Sequence, residues 1–294
     1  MTELLIFAEV LSICLFYARC AECCTLFAAN GSAVSGGGTL ICKTRDRAGR
    51  QYSGVELYPA VNGGSAYYAI VGNVEPDGLM PRGGINEKGL VVVSAALSNA
   101  HLRDHVKGRR GVIKALLTHC DSVESAIERL ERGKYKGMFL MLADSSETAI
   151  AEIAADASSM TIRRVKNGCL YHTNHYVENK EFQRYEHPAP VHTSSTCTRY
   201  RRIGELVDGV KRPLELRDFI TFADDRHDGP DKSIWRTGSN PESSKTLSVF
   251  AVHLSPTGAT IYTKVIADSS QPEKFETRTL GASEIFPNFR KTAD

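Results

Sequence analysis

Cys24 and the charged run Lys43-Thr44-Arg45-Asp46-Arg47 are the residues of this chain whose types and spacing could do chemistry. A thiolate is a strong nucleophile, and a neighbouring cation favours it over the thiol. A cysteine inside a chain needs a histidine beside it to take its proton. A cysteine at the start of a chain carries its own base. The α-amine has an ordinary pKa of about 7.7–8.0 and the thiol one of about 8.5. The amine can take the thiol proton directly or through one water, then return a proton to a leaving group. That chemistry requires cleavage of the peptide bond before Cys24.

The elements that must bring these groups together are the arms of a β-hairpin. Thr25–Ala29 forms one apolar arm and Thr39–Arg45 the other. NGSAVSGGG between them is rich in residues that tolerate positive φ. Antiparallel pairing sets the start of the first arm beside the end of the second, so Cys24 meets the charged run. On a regular strand Lys43 and Arg45 share one face and Asp46 points to the other. All three can line one site only where the strand bends or ends.

Leu4–Ala18 is apolar apart from Glu9. At about 15 residues it is short for a membrane span, which needs about 20. Ala21-Glu22-Cys23 is an imperfect small-x-small cleavage site, although Glu3 rather than a basic residue precedes the apolar core. Three readings stay open for residues 1–23: a signal peptide, a propeptide removed in the cytosol, or an upstream start. The first implies a secreted or periplasmic protein and the second a cytoplasmic one. In each, the working chain is 24–294, read as a single catalytic domain with no stable membrane span after processing. Beyond residue 24, Cys42, Cys120, Cys169 and Cys197 could be two disulfides or four thiols.

The chain has 294 residues, 42% apolar and 24% charged, with a net charge of +2. Its basic residues are scattered, which argues against a nucleic-acid partner. The short cluster Arg199-Tyr200-Arg201-Arg202 reads as a solvated helix face. Ala66–Gly72, Leu90–Ala96, Met138–Ala143, Thr148–Ile153, Met160–Arg164, Cys169–Asn174, Thr246–Leu254 and Thr260–Ile266 read as strands. Leu90–Ala96 is apolar on both faces and so central. Gly83–Gly89 reads as a turn. Val112–His119, Ser122–Glu131, Thr198–Val207 and Leu214–Ala223 read as helices, with Asp121 and Glu124 resembling a capping box. Strands in runs and helices in pairs predict an α+β domain of stacked, mainly antiparallel sheets with helices outside.

Other constellations are weaker. His172 and His175, three apart on a strand, would face opposite sides and make a poor metal pair. Asp224, Asp225, Asp228 and Asp231 lack the spacing of a calcium loop. No metal or other cofactor is expected. Phe27, Tyr67, Tyr68 and Trp235 could line an acyl pocket, with core packing the default for each. Two rival functions stay open: a membrane-tethered binding protein anchored by residues 4–18, and a cysteine–histidine hydrolase using His172 or His227.

CTLFAANGS, GGGTLICKTRD, GGINEKGLVVVSAALS, YHTNHYV and HDGPDKSIWRTG occur in that order. Together they resemble the N-terminal-nucleophile (Ntn) hydrolase superfamily, in the branch of choloylglycine hydrolases, penicillin V acylases and isopenicillin-N acyltransferase-like proteins. The resemblance covers nearly all of the chain after Cys24. It implies a four-layer αββα sandwich, self-maturation to a free N-terminal cysteine, and cleavage or transfer at linear amide bonds of N-acylated small molecules. Formation of a homo-oligomer is compatible with it. Residue by residue, Cys24 matches the nucleophile and Asp46 the carboxylate that holds the amine. Asn174 matches an oxyanion-hole amide, and Arg236 a late active-site arginine. Lys43 falls where the family commonly has arginine, which keeps the charge and loses the planar fork; Arg45 could substitute. Ala96 stands where many relatives have a second asparagine, so a backbone N–H would have to replace that donor.

Overall fold

The computed structural model describes residues 23–48, 51–74, 78–97, 108–186, 190–266, 274–287 and 289. Residues 1–22, with the apolar segment and most of the cleavage site, lie outside the described residues. Alternating side chains sort the strands into layers. On β1 (Cys23–Asn30), Cys24, Leu26 and Ala28 point one way and Phe27 and Ala29 the other. On β2 (Thr39–Arg47), Ile41 joins the first set and Leu40 and Cys42 the second. The first face packs on a second sheet and the second face under helices, so these strands are buried on both sides.

The first sheet has the order β10-β1-β2-β11-β12-β13. Besides β1 and β2 it contains β10 (Gly168–His172), β11 (Lys245–Ser255), β12 (Gly258–Ile266) and β13 (Phe275–Gly281). The second runs β3-β4-β5-β6-β7-β8-β9. Its strands are β3 (Ser53–Tyr58), β4 (Tyr67–Val74), β5 (Gly78–Asn86), β6 (Val91–Ala95), β7 (Phe139–Ala143), β8 (Thr148–Ile153) and β9 (Met160–Val165). Every pairing between these strands is antiparallel.

Helices α1 (Val112–His119) and α2 (Val123–Arg132) cover the second sheet, packing on Tyr67, Val92, Leu140 and Leu142. Helices α3 (Ser195–Gly209) and α4 (Leu216–Ala223) cover the first. A short α5 (Ala282–Ile285) follows β13. The predicted α+β fold is thus present as layers of helix, sheet, sheet and helix. On α2 the stripe Val123, Ala126, Ile127 and Leu130 is buried, and truncating Leu130 to alanine would cost about 2–5 kcal/mol.

Several local readings are corrected. The α2 capping box is formed by Ser122 and Ser125, not by Asp121 and Glu124. Gly83–Asn86 belongs to β5 and only the residues after it turn. Asn86 closes that turn, its Oδ1 accepting from the N–H groups of Lys88 and Leu90. Pro81 is tolerated in β5 because the pairing with β4 shifts register there. Of the two alternatives left open for Cys42, Cys120, Cys169 and Cys197, the structure has the four thiols.

Candidate active site

Register places the thiol. In the β1–β2 ladder Cys24 pairs with Arg45, Cys23 with Asp46 and Leu26 with Lys43. The hairpin turn is permitted by Gly38 at φ 84, where a Cβ would lie 2.1 Å from the Leu254 carbonyl oxygen. Both arms run further than the apolar pattern implies, because the charged ends are buried too: Lys43 is 2% exposed, Arg45 1% and Asp46 0%. Lys43 and Arg45 take the face between the sheets, as alternation requires. The Lys43 ammonium lies 3.4 Å from Cys24 Sγ and donates to the Ser94 carbonyl of β6 across the layer.

Asp46 takes the opposite face. There the β2–β11 ladder shifts register between Thr246 and Ser248, an irregularity that re-aims Thr246. Thr246 Oγ1 donates to Asp46 Oδ1 at 2.9 Å, and Arg236 Nη1 stands 4.0 Å from Oδ2. Among the described residues Oδ2 has no hydrogen-bond partner. Burial pushes the Asp46 pKa up, against the pull of Arg236, Arg199, the Thr246 hydroxyl and Lys43.

The β1–β10 ladder pairs Leu26 with His172, so two residues further on Asn174 reaches Cys24. Its Oδ1 accepts the Cys24 N–H at 2.9 Å. Its own N–H donates to Thr196 Oγ1 at 2.9 Å, and Nδ2 donates to the Ala96 carbonyl at 2.8 Å. Arg199 Nη2 also donates to Oδ1, at 2.9 Å. A guanidinium only donates, so the amide is held with its oxygen toward the Cys24 nitrogen and its NH2 toward Ala96.

The structure therefore brings together all five residues singled out from the sequence: Cys24, Lys43, Asp46, Asn174 and Arg236. It adds Arg199, which sequence reading put on a solvated face. Arg199 is fully buried, and Nη1 donates to the Cys24 carbonyl at 2.5 Å and to Thr25 Oγ1 at 3.0 Å. Burial pulls its pKa down. The missed signal is its phase on α3, where Thr196, Arg199, Ile203 and Val207 form one buried stripe.

The rival groups are engaged elsewhere. His172 Nε2 lies 2.9 Å from Glu152 Oε1, and Nδ1 lies 3.0 Å from the Thr173 carbonyl; His227 is exposed. Asp224 pairs with Lys264 and Asp225 with Arg202. Phe27, Tyr67, Tyr68 and Trp235 are all core residues.

The family model for acyl-coenzyme A:6-aminopenicillanic acid acyl-transferase matches residues 34–265. No curated protein matches the sequence. Among solved structures, a mutant of conjugated bile acid hydrolase from Clostridium perfringens superposes with a TM-score of 0.57. It is 13% identical, over 92% of this chain and 94% of that one. The N-acylethanolamine-hydrolyzing acid amidase ortholog of Caenorhabditis elegans gives 0.54 at 12% identity, over 87% and 99%. Penicillin V acylase from Agrobacterium tumefaciens gives 0.52 at 12%, over 88% and 86%. The fold is that of the Ntn hydrolases.

Proposed function

We propose that this chain, which belongs to the acyl-coenzyme A:6-aminopenicillanic acid acyl-transferase family, is an N-terminal-cysteine amidohydrolase or acyltransferase acting on linear amide C–N bonds of N-acylated small molecules. Cleavage between Cys23 and Cys24 frees the amine and leaves 24–294 as the catalytic domain. If residues 1–23 are a signal peptide, the mature protein is exported. The solved relatives act, by name, on penicillin V, conjugated bile acids and N-acylethanolamines, and acyl amides are the substrate class taken from them.

One observation carries this reading: a cation and an amide meet the two reactive ends of a single residue, and Asp46 pairs in the ladder with the residue just before it. Lys43 lies 3.4 Å from the Cys24 sulfur and Asn174 2.9 Å from its nitrogen. Asp46 keeps an oxygen open among the described residues. After cleavage the nitrogen is an amine with new protons to donate. Asn174 Oδ1 already accepts from it, and the open oxygen of Asp46 is the acceptor for the ammonium.

The α-amine takes the proton of Cys24 Sγ, and Lys43 stabilises the thiolate. Sulfur bonds to the acyl carbon and the carbonyl oxygen becomes an oxyanion. The Asn174 NH2, which donates to the Ala96 carbonyl, is assigned here as the donor to the oxyanion; such a donor is typically worth about 2.7–4 kcal/mol. The C–N bond breaks as the ammonium protonates the leaving amine. A thioester remains on Cys24, and water or a second amine releases the acyl group.

The test is amine release from a panel of N-acyl amides: an N-acylethanolamine, an N-acyl amino acid and a phenoxyacetyl amide. Processed wild-type protein should release amine from at least one, and hydroxylamine should divert its acyl group to a hydroxamate. Cys24→Ala should release none. Full turnover by Cys24→Ala, or silence of the wild type on every member, contradicts the reading.

A further inference from the structure

Past Asn174 the backbone presents four consecutive N–H groups, and two buried carboxylates take all of them. Glu186 Oε1 accepts from Tyr176 at 2.9 Å. Glu152 Oε1 accepts from Val177 at 2.6 Å and Glu178 at 2.9 Å, and Oε2 from Asn179 at 3.0 Å. Glu152 Oε1 also faces His172 Nε2, and both side chains are wholly excluded from solvent. The other ring nitrogen of His172 faces the Thr173 carbonyl at 3.0 Å, so the ring is held from both sides. Burial alone would raise the Glu152 pKa; the bonds from His172, Val177 and Glu178 hold it below the ordinary value.

Topology gives this cluster a use. Glu152 lies on β8, in the seven-stranded sheet, paired with Phe139. The segment it binds continues from β10, the edge of the other sheet. Asn174 stands between His172 and Val177, the two points where Glu152 grips that segment. Asn174 also reaches toward the second sheet itself, its Nδ2 donating to the Ala96 carbonyl just beyond β6. Ala96 holds the amide but cannot hold the backbone that carries it. A shift of about 1 Å in such a group can cost about a hundredfold in rate.

We infer that Glu152 is a positioning residue for Asn174: a carboxylate of one sheet that fixes, through His172 and the 177–179 backbone, the segment of the other sheet from which the oxyanion amide projects. The inference rests on the reading of Asn174 given above. A carboxylate that only stabilised the turn would affect folding and leave the rate per folded molecule alone.

The experiment is a double-mutant cycle on the full chain, with an amide that the wild type turns over. Glu152→Gln retains one acceptor oxygen and loses the charge and the acceptor for Asn179. It should lower kcat about ten- to a hundredfold with KM within about twofold, and hydrogen exchange across 173–179 should quicken. Glu152→Gln/Asn174→Ala should be no slower than Asn174→Ala alone, since a misplaced amide that is already absent costs nothing further. His172→Gln, should Glu152→Gln not fold, should show the same kcat loss and the same disappearance in the Asn174→Ala background. A kcat within twofold of wild type, or a loss that multiplies in full with that of Asn174→Ala, overturns the inference. If Asn174→Ala itself turns over at the wild-type rate, the reading of Asn174 fails as well. If Asn174→Ala is slow and Glu152→Gln is not, only the positioning claim fails.

Discussion

Two buried aspartates sit at opposite ends of the same pair of sheets and differ in how they are satisfied. Asp144, after β7, is saturated. Its Oδ1 accepts from the Ser146 N–H at 2.8 Å, the Ser146 hydroxyl at 2.7 Å and the Glu147 N–H at 3.0 Å, and Oδ2 from the Val123 N–H that opens α2 at 2.8 Å. It also borders a cavity of about 440 Å³ lined by Lys88, Asp121, Ser122 and Ser255. Asp46 has one hydroxyl donor, an arginine at 4.0 Å and one oxygen with no hydrogen-bond partner among the described residues. A carboxylate closed by its own turn is architecture. In the proposed reading the partly open carboxylate of Asp46, with Arg199 and Arg236 near it, is the acceptor for the ammonium that cleavage would form.

The largest expected effect is at the open end. Asn174→Ala removes the amide that faces Cys24 and should lower kcat about 10²–10³-fold; steady-state kinetics on a responsive amide checks it. The two aspartates then separate. Asp46→Asn should slow turnover about a hundredfold, because a neutral amide cannot match a carboxylate in holding an ammonium. Asp144→Asn should leave kcat per folded molecule within about twofold and lower stability by about 1–3 kcal/mol in urea titration. Equal kinetic losses for the two would erase the distinction between the ends.

The smallest effect is in pH dependence and comes from two groups flanking Asn174. Burial, with His172 and Arg199 adding to it, pulls the His175 pKa down to about 4. Its contribution is intact above the ordinary histidine value and is lost as pH falls from about 6.5 toward 4. Burial pushes the Glu186 pKa up to about 7, so its contribution is intact at low pH and is lost as pH rises from about 4.5 to 7. The two slopes oppose each other over most of that range. His175→Gln should expose the Glu186 slope, with Tm falling as pH rises; Glu186→Gln should expose the reverse. Thermal unfolding between pH 4.5 and 7 reads both, and unchanged profiles in both variants would refute the assignment.

Much of this was legible in the chain. The β1–β2 hairpin was, because apolar arms flank a glycine-rich turn, and the opposed faces of Lys43 and Asp46 follow from strand alternation alone. Asn174 and Arg236 were reached through family resemblance rather than pattern. Arg199 was not legible, because a run of basic residues reads as one solvated face. On a helix, neighbours in sequence diverge by about 100°, and Arg201 is exposed while Arg199 is buried. The edge strands β3 and β13 were missed because half-exposed sequences such as Phe275–Gly281 give little apolar alternation. Glu152 lay unnoticed inside an apolar run, since its partners are backbone N–H groups of a distant segment that no local pattern announces.

In the proposed mechanism Cys24 works as both nucleophile and amine. Intact-mass and N-terminal peptide mapping of the active protein, before and after a rapid quench with an amide substrate, tests it most directly. The expected result is a chain that begins at Cys24 and a transient acyl mass on the peptide that this residue opens. Full activity in protein whose Cys23–Cys24 bond is uncut, or the acyl group on any other residue, would contradict it.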